Sequence, residues 1–536
     1  MKLPWKPWRS ATRAWRSTSN MTLNPLPSAA VPGVTFEARR PAQVAPLRTD
    51  IALFIGTAPR GPVGLPVRVP GWRAYEAVFG GLSPSSDMGH AVKGYFSNGG
   101  EILWVLRLAP AAQPATGLWP LIADGGYAPA VLGVDTLRVL AATPGTWGRR
   151  LSVRPAYRVR SDGQGMIDLD VYDNGQLAER LAGIEPGDLS AAVAEHSSLI
   201  RVDPEPGSPP LPATAGAGPR TRSWEPVHLG GGSDGSTPSR SDYAAALLVA
   251  VEEQEPALLV LPDLHRHLGE GDAAAVILGA ARFADRRLDL LVVADAPEQV
   301  ETGAEARAWI ARFGNDPAVH RAVATYHPWI DMHDPIGTPA APLRRLGPGG
   351  HVAGAISRLD RALGAYVTPA NASLNDCIDL ARRPPPYEQG RLSALGLNAL
   401  RCQSARGVVV WGGRMTRSDD GRPRFVAHRR LIHRLVRALR RAWAPMVFEA
   451  NDDGLRLAVA RSATTLLLEA FHANILKGTR PEEAFRVVVD DTVNTPESRE
   501  AGQIVCEIAI APAIPMEFIH FRVGLSADGT VEFIET

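Results

Sequence analysis

The chain has 536 residues, of which 45% are hydrophobic, so it is long enough for roughly three to four domains, each with its own core. This composition excludes a disordered or fibrous protein. Lys and Arg number 57 against 56 for Asp and Glu, and the resulting formal charge of +1 excludes binding of nucleic acid through bulk positive charge.

The cysteines are few and lie far apart in the sequence, at Cys377, Cys402 and Cys506. No pair has the CxxC spacing of a zinc site, and an odd number at this spacing is not typical of a disulfide framework. We therefore expect the chain to mature in a reducing cytoplasm. No apolar run approaches the roughly 18 residues that a membrane span needs, so we also expect no membrane anchor.

Residues 1–20 carry five basic residues, three tryptophans and no acid. Pro4, Pro7 and the arginines interrupt every apolar stretch, which excludes the continuous apolar core of a secretory signal. The segment is typical of a disordered basic tail, or of translated sequence upstream of a natural start at Met21. Contact with a membrane surface or a nucleic acid is the alternative. We assign 1–33 to this leader and an extended N-terminal arm, because prolines continue to Pro32.

The first strands and helices follow the arm. A first strand is expected at 34–38, and the continuous apolar run 51–57 predicts a strand that is buried on both faces. The spacing of large apolar residues then predicts two helices, and Gly99 and Gly100 end the second of them before the strand 102–108. We assign 34–117 to the N-terminal part of a core.

The pattern changes between residues 118 and 235. Short alternating strands are separated by Asp-Gly and Asn-Gly turns, which predicts an inserted, mostly β module. The Pro- and Gly-rich stretch 204–219 indicates a surface loop or linker near its end.

The remaining chain is predicted to be α/β and then α+β. Apolar runs alternate with amphipathic ones over 236–393, which indicates a parallel sheet covered by helices. The segment 394–511 mixes strands with two long helices and is predicted to form an α+β C-terminal domain. Prolines interrupt the regular secondary structure at the start of the segment 512–536. Because no helix returns this last segment to its own domain, its strands are candidates for pairing with the sheet edge of another chain.

The glycine-rich stretch 230–235 (GGGSDG) satisfies the patterns of a dinucleotide loop and of a nucleophile elbow centred on Ser233. Both patterns require a sharp turn from a core strand into a helix, but here the stretch follows a polar loop and the helix begins only near Asp242. We favour a turn in which a Ser or Asp caps the next helix. A hydrolase using Ser233, or a ligand-binding protein using this loop, remains the alternative function.

His265 and His267 follow a predicted strand end and are the best metal-ligand candidates in the sequence. No third ligand has a suitable spacing, so we predict an exposed loop and no metal site. The sequence also lacks the phosphate-binding loop of common ATPases, and we predict neither a catalytic residue nor a cofactor.

A helix predicted at 426–443 carries six arginines and no acid around a stripe of leucines. One face is expected to pack and the other to be cationic. A cationic face that is solvated and one that binds an acidic protein partner are equally consistent with this pattern. Binding of a nucleic acid is less favoured than either, because no aromatic residues accompany the charge.

Several stretches, taken together, resemble the tail sheath proteins of contractile phage tails and phage-tail-like injection systems. They occur in the family's order from about residue 32 to 523. The matching stretches are 32–34 (PGV), 51–63 (IALFIGTAPRGPV), 79–81 (FGG), 91–100 (AVKGYFSNGG), 104–108 (WVLRL), 144–150 (PGTWGRR), 231–235 (GGSDG), 326–330 (YHPWI), 350–354 (GHVAG), 369–371 (PAN), 407–414 (GVVVWGGR), 429–431 (RRL), 447–451 (VFEAN), 494–496 (NTP) and 511–518 (APAIPMEF).

The resemblance implies a subtilisin-like but non-catalytic α/β domain at 236–393 and a C-terminal domain that faces an inner tube. In this family, terminal arms are exchanged between neighbouring subunits, which makes Val34, Phe36, Phe518, Phe521 and Val523 the candidate arm-strand residues. It also implies that the arginine helix contacts the tube, with Arg430, Arg434, Arg437 and Arg441 as candidates.

The function implied is structural. Copies of the chain would polymerise helically around an inner tube and contract to drive it through a target envelope. The implied partners are the chain itself, the tube, baseplate and tail-terminator proteins, with no nucleic acid. The chain would be made in the bacterial cytoplasm without a signal peptide and reside in a virion tail or a phage-tail-like particle.

Overall fold

The computed structural model describes residues 47–120, 136–159, 161, 165–204, 220–223, 225–250, 255–416, 424–446, 452–500, 503–513, 521–525 and 531–535. All of them lie in the second of the chain's two units, Leu47–Thr536.

The strands and helices alternate along most of this unit. The strands are β1 (Ala52–Gly56), β2 (Pro66–Val69), β3 (Leu103–Arg107), β4 (Gln113–Pro120), β5 (Thr136–Ala141), β6 (Leu151–Val159), β7 (Gly165–Asp173), β8 (Gln176–Ile184), β9 (Ile200–Pro204), β10 (Arg220–Ser223), β11 (Val227–His228), β12 (Gly230–Ser233), β13 (Leu258–Val260), β14 (Leu291–Asp295), β15 (Val323–His327), β16 (Ile330–Thr338), β17 (Ala341–Leu346), β18 (Asp379–Leu380), β19 (Leu397–Gln403), β20 (Gly407–Val410), β21 (Phe485–Val488), β22 (Glu507–Ile510), β23 (Phe521–Leu525) and β24 (Val531–Glu535). The helices are α1 (Trp72–Phe79), α2 (Met88–Ser97), α3 (Leu189–His196), α4 (Arg240–Val249), α5 (Leu264–His267), α6 (Glu270–Arg287), α7 (Gly303–Ala311), α8 (Pro317–Ala322), α9 (Gly349–Ala362), α10 (Pro386–Ala394), α11 (Val426–Trp443), α12 (Asp453–His472), α13 (Pro481–Ala484) and α14 (Pro496–Glu500).

An eight-stranded sheet forms the centre of the unit, in the order β2-β3-β1-β13-β14-β15-β19-β20. The six strands from β3 to β19 in this order are parallel, and the strand at each edge is antiparallel to its neighbour. Adjacent residues of β1 face opposite sides, because Leu53 and Ile55 belong to one buried cluster and Ala52 and Phe54 to the other. A strand buried on both faces needs apolar residues at every position, which explains the continuous apolar run.

Two layers of helices cover this sheet. One cluster contains side chains of α4, α6, α7 and α8, and the other contains side chains of α1, α2 and α9. The mixed α/β architecture predicted from the sequence is therefore present, and the segments on either side of the predicted insertion contribute strands to one sheet.

The region predicted as a mostly β insertion, 118–235, forms two antiparallel sheets together with residues 113–117, which precede it. One has the order β12-β4-β5-β9, and the other has the order β10-β6-β7-β8 with β11 also paired to β6. The two sheets share a separate core that includes Trp119, Leu151 and Ile167.

The large sheet extends past residue 394, where the sequence predicted a separate C-terminal domain to begin. β19 pairs with β15, and β20 pairs with β19. Val408, Val409 and Val410 are buried, so these apolar strands complete the central core. The division predicted at residue 394 therefore does not separate the sheet from the chain that follows it.

The part of the chain after β20 contains α11, α12 and a two-stranded sheet formed by β21 and β22. Its core is small and includes Leu431, Leu467, Leu476 and Ala484. Farther along, β23 and β24 pair antiparallel with each other, with Val523 opposite Phe533.

Candidate functional site

Helix α11, the predicted arginine helix, is buried on two sides. Its leucine side contributes Leu431 and Leu435 to the small C-terminal core. Its other side contains Arg430 and His433, which are also buried. The helix therefore lies between two parts of the unit, and the simple division into one apolar and one exposed cationic face is wrong.

Arg430 does not present its charge to solvent, because only 1% of the residue is exposed. Its guanidinium forms an ion pair with Asp360 of α9. It also donates to the backbone carbonyl oxygens of Ala257 at 3.0 Å and of Thr49 at 2.5 Å. A buried guanidinium requires such partners, and they make Arg430 an internal contact. In the single chain its charge is thus already paired inside the fold, and its contact with an inner tube stays a prediction.

Arg437 is likewise internal, since its side chain is 9% exposed. Its Nε lies 3.0 Å from an oxygen of Asp289, and its Nη1 donates to the carbonyl oxygen of Glu255 at 2.8 Å. Burial lowers its pKa to about 10, so the group still carries its charge at neutral pH. The tube contact of Arg437 likewise stays a prediction, which its internal position in the single chain does not support.

His433 lies between these arginines and is fully buried. Burial first, and then the charge of Arg430, hold its pKa well below the ordinary value. The imidazole is therefore neutral at neutral pH. A charged ring here would add a cation to a region that already contains two buried guanidinium groups.

Arg434 and Arg441, the other two predicted contact residues, are exposed. The structure thus divides the four candidates into two internal and two surface arginines. Sequence reasoning missed the acids that bind the internal pair, Asp360 and Asp289. A signal was present, because Asp289 stands alone in the apolar segment that leads into β14, where an acid requires a buried partner.

The glycine-rich stretch 230–235 does not form a nucleophile elbow. Ser233 ends β12, which pairs with β4 in the insertion and not with the large sheet. The Ser233 hydroxyl accepts a hydrogen bond from the amide of Gly235 at 3.1 Å, and no described hydrogen bond joins it to a histidine. Asp234 accepts bonds from the amide and hydroxyl of Thr146, each at 2.8 Å. The stretch therefore connects the loop after β12 with the loop that contains Thr146.

The helix after this stretch begins at Arg240 with a capping box. The side chains of Ser239 and Asp242 bond reciprocally with backbone amides of the first turn, as expected for this residue pair. The prediction of a Ser or Asp cap is confirmed.

Open parallel sheets commonly bind ligands at the carboxyl ends of their strands, and in this chain that edge is filled. Asp263, which follows β13, is fully buried and accepts hydrogen bonds from the amide of Thr57 at 2.7 Å and of Asp87 at 2.5 Å. Asp87 in turn accepts bonds from Arg266 and Arg344. Backbone amides thus bind the Asp263 carboxylate, and two guanidinium groups bind that of Asp87, within the fold.

His265 and His267 do not converge on a common point. Nε2 of His265 lies 2.8 Å from the carbonyl oxygen of Asp295, and Nδ1 of His267 lies 3.1 Å from the hydroxyl of Tyr243. Burial lowers the pKa of both rings. Both histidines are half-buried and lie in the short helix α5, so the predicted exposed loop is wrong for both. No cluster of three metal-ligating side chains occurs in the parts of the chain that the structure describes.

The candidate arm strands are only partly described. Val34, Phe36 and Phe518 lie outside the described residues, whereas Phe521 and Val523 lie in β23. β23 forms a hairpin with β24, and no described pairing connects this hairpin to another sheet. In the described pairings, each strand of the hairpin thus has one edge without a partner.

The sheet formed by β21 and β22 is similarly small. Both strands are half-buried or exposed along their length, and Phe485, Val487, Ile508 and Ile510 are only partly covered. A two-stranded sheet is marginal by itself, so this sheet offers an apolar and incompletely paired surface. Among the described helices, none has the length and apolar character required to cross a membrane.

Comparison with solved structures finds the same fold over nearly the whole chain, although no family model and no curated protein sequence matches. The contracted helical sheath of the anti-feeding prophage is 20% identical, covers 93% of this chain and 99% of that chain, and has a TM-score of 0.57. A sheath tail protein from Listeria innocua is 14% identical over 92% of this chain and 95% of that chain, with a TM-score of 0.59.

A third similar structure is the contracted sheath complex of an extracellular contractile injection system, PVC. It is 16% identical, covers 93% of this chain and 98% of that chain, and has a TM-score of 0.53. The resemblance predicted from the sequence motifs is thus confirmed, and the chain has the fold of the contractile tail sheath proteins.

Proposed function

We propose that the chain is the structural subunit of a contractile sheath, which polymerises helically around an inner tube and contracts to drive the tube through a target envelope. The observation that carries this proposal is the shared fold over 92–93% of the chain with sheath proteins, including sheaths in a contracted state. A sheath needs rigid domains that repack against one another and connections that persist during the change. The large sheet with its two helical layers is suited to the first role.

Assembly by strand exchange is supported by the incomplete surfaces of the C-terminal region. The half-buried sheet of β21 and β22 has apolar side chains that a strand from another copy would cover. The hairpin of β23 and β24, which contains Phe521 and Val523, offers free backbone edges in the described pairings. Strand addition satisfies such edges through main-chain hydrogen bonds. Val34, Phe36 and Phe518 remain proposed members of the exchanged arms.

Contact with the inner tube is proposed for Arg434 and Arg441, the exposed members of the predicted set. An acidic tube surface would attract such charges at the interface. Arg430 and Arg437 are omitted because their charges are used inside the fold. Baseplate and tail-terminator proteins are further proposed partners, and nucleic acid is not. A baseplate assembly of the anti-feeding prophage contains a chain with this fold.

The proposal assigns no catalysis and no cofactor to the chain. The α/β region at 236–393 is proposed to be subtilisin-like in topology and non-catalytic, with 118–235 as an inserted module. The alternative hydrolase would use Ser233, whose hydroxyl accepts the Gly235 amide at a sheet edge. The chain is proposed to be made in the bacterial cytoplasm and to reside in a virion tail or a phage-tail-like particle.

Electron microscopy of the full chain, purified alone and after co-expression with its tube and baseplate proteins, tests this function. We expect hollow, striated cylinders that enclose the tube. Only compact monomers or small closed oligomers, under conditions where the tube itself forms, would contradict the proposal. The hydrolase alternative would gain support if an activity on a defined substrate were lost in Ser233→Ala while that variant stayed folded.

A further inference from the structure

Residues 48–50, immediately before β1, have backbone carbonyls that are bound by side chains and not by a neighbouring strand. Arg437 Nη1 donates to the carbonyl oxygen of Arg48 at 2.9 Å, and Arg430 Nη2 donates to that of Thr49 at 2.5 Å. The Tyr95 hydroxyl lies 3.0 Å from the carbonyl oxygen of Asp50 and 2.9 Å from that of Ile102, and its single proton is shared between these two acceptors. Three consecutive carbonyls are thus held from two helices, α11 and α2.

The side chains of the same segment form a charge network. Arg48 donates to both oxygens of Asp50 at 2.7 Å, and Arg361 Nε lies 3.5 Å from Asp50. Glu101 pairs with Arg361 and lies 3.6 Å from Arg48. The Asp50 side chain is only 3% exposed, so its ion pairs are shielded from solvent and are stronger than surface pairs.

The arginines that hold this segment are themselves fixed at their other contacts. Arg430 is paired with Asp360, and Arg437 lies against Asp289. They also bind the carbonyl oxygens of Glu255 and Ala257, just before β13. Each guanidinium therefore connects the entry to β1 with the entry to β13, its neighbour in the sheet.

We propose that Arg430, Arg437 and Tyr95 form an anchor that fixes residues 48–50 where the chain enters its second unit. This inference rests on the proposed function in one respect. If the preceding residues link neighbouring subunits, tension along them is transmitted through the anchor to α11 and the sheet. Strand β1 then keeps its pairing in the sheet. The arginines that the sequence assigns to a tube contact thereby acquire an internal, positioning role.

Trypsin cleavage of the unassembled full chain at the bond between Arg48 and Thr49 tests the anchor. A protease needs a released backbone segment, so cleavage reports local opening. In Arg437→Met, which removes the charge-assisted bond to the carbonyl oxygen of Arg48, we expect the new N-terminus at Thr49 to appear about tenfold faster. Arg434→Met, on the exposed side of the same helix, is the matched control and should cleave at the rate of the parent chain.

Tyr95→Phe provides a milder variant, because it removes the hydroxyl and keeps the buried ring. We expect cleavage at Arg48 to rise about fivefold in this variant, as one hydrogen bond to the segment is lost. Circular dichroism and the midpoint of urea unfolding establish that each variant is folded before digestion. Cleavage within twofold of the parent rate in folded Arg437→Met and Tyr95→Phe would overturn the anchor.

The digestion distinguishes the anchor from the sheath function, since it uses the unassembled chain. Faster cleavage at Arg48 supports the anchor whether or not cylinders form. An absence of cylinders counts against the sheath function and leaves the digestion result unchanged.

Discussion

His327 and His351 are buried residues whose ring nitrogens have no hydrogen-bond partner among the described groups. Burial lowers the pKa of each to about 4. Asp376 and His90 are the titratable groups that act on His351 through their charges. Both imidazoles are neutral in the folded chain at neutral pH, and the unfolded chain binds protons more readily at these positions.

The sign of the pH dependence follows from these shifts. A histidine whose folded pKa is lowered contributes stability that is complete above its unfolded pKa, near 6.5, and is lost as pH falls toward 4. The loss is about 3 kcal/mol for each histidine at full protonation. Asp295 acts in the opposite direction, because burial raises its pKa to about 7, so its contribution grows as pH falls from 7 toward its unfolded value. The two histidines and this acid therefore contribute slopes of opposite sign.

His351→Leu should therefore flatten the pH dependence. We expect the free energy of unfolding to fall by about 2 kcal/mol less between pH 7 and pH 4.5 than it does in the parent chain. Urea unfolding at a series of pH values measures this difference. His333→Gln, at an exposed position, is the control for the loss of an imidazole. An unchanged slope in His351→Leu would show that this ring is not the proton-binding group.

At the scale of elements, α2 and α9 cross closely because glycines line the contact. A Cβ added at Gly350 would lie 2.6 Å from the carbonyl oxygen of Ala91. A Cβ added at Gly354 would overlap the carbonyl oxygen of Tyr95. One at Gly94 would overlap the ring of His351. The motifs AVKGYFSNGG and GHVAG, which carry part of the family resemblance, thus meet in space as a helix contact.

Gly354→Ala should destabilise the chain by about 2 kcal/mol or more, because backbone blocks the new methyl group and the helices must separate. Gly279→Ala is the matched control in α6, since its added Cβ would meet only Leu247 at 3.9 Å. The control should be stabilised by about 1 kcal/mol, the usual helix preference for Ala over Gly. Urea unfolding measures the change in the free energy of unfolding for both variants. Equal changes would mean that close packing between α2 and α9 does not determine the cost at Gly354.

The sequence predicts elements well where one local pattern determines them. The apolar runs of β1, β13 and β14 identify the buried strands, and the leucine and arginine spacing predicts α11 with its observed bounds. The environment of α11 was not predictable from that spacing, because Asp360 and Asp289 come from distant parts of the chain. The addition of β19 and β20 to the large sheet was not predictable for the same reason, since strand order depends on contacts that sequence spacing does not record.

At the scale of the whole molecule, the large sheet and the C-terminal region differ in how completely their strands are covered. The large sheet is covered on both faces, and its β20 edge is bonded by the segment 371–374. The C-terminal region has a small core and half-buried strands. The proposed sheath assembly uses such incompletely covered strands as contacts between copies, because heterologous contacts that do not close build an open helical array.

Removal of residues 517–536 should separate folding from assembly. The deletion takes away the hairpin of β23 and β24 and leaves the large sheet and its helices intact, so we expect the truncated chain to unfold at an unchanged urea concentration. It should remain monomeric in analytical ultracentrifugation and form no cylinders in electron micrographs. Removal of residues 1–20, which precede the stretch that resembles the family, is the control and should permit cylinders. Long cylinders formed by the chain without 517–536 would refute the arm role of β23 and β24, because subunit connection would then depend on other contacts.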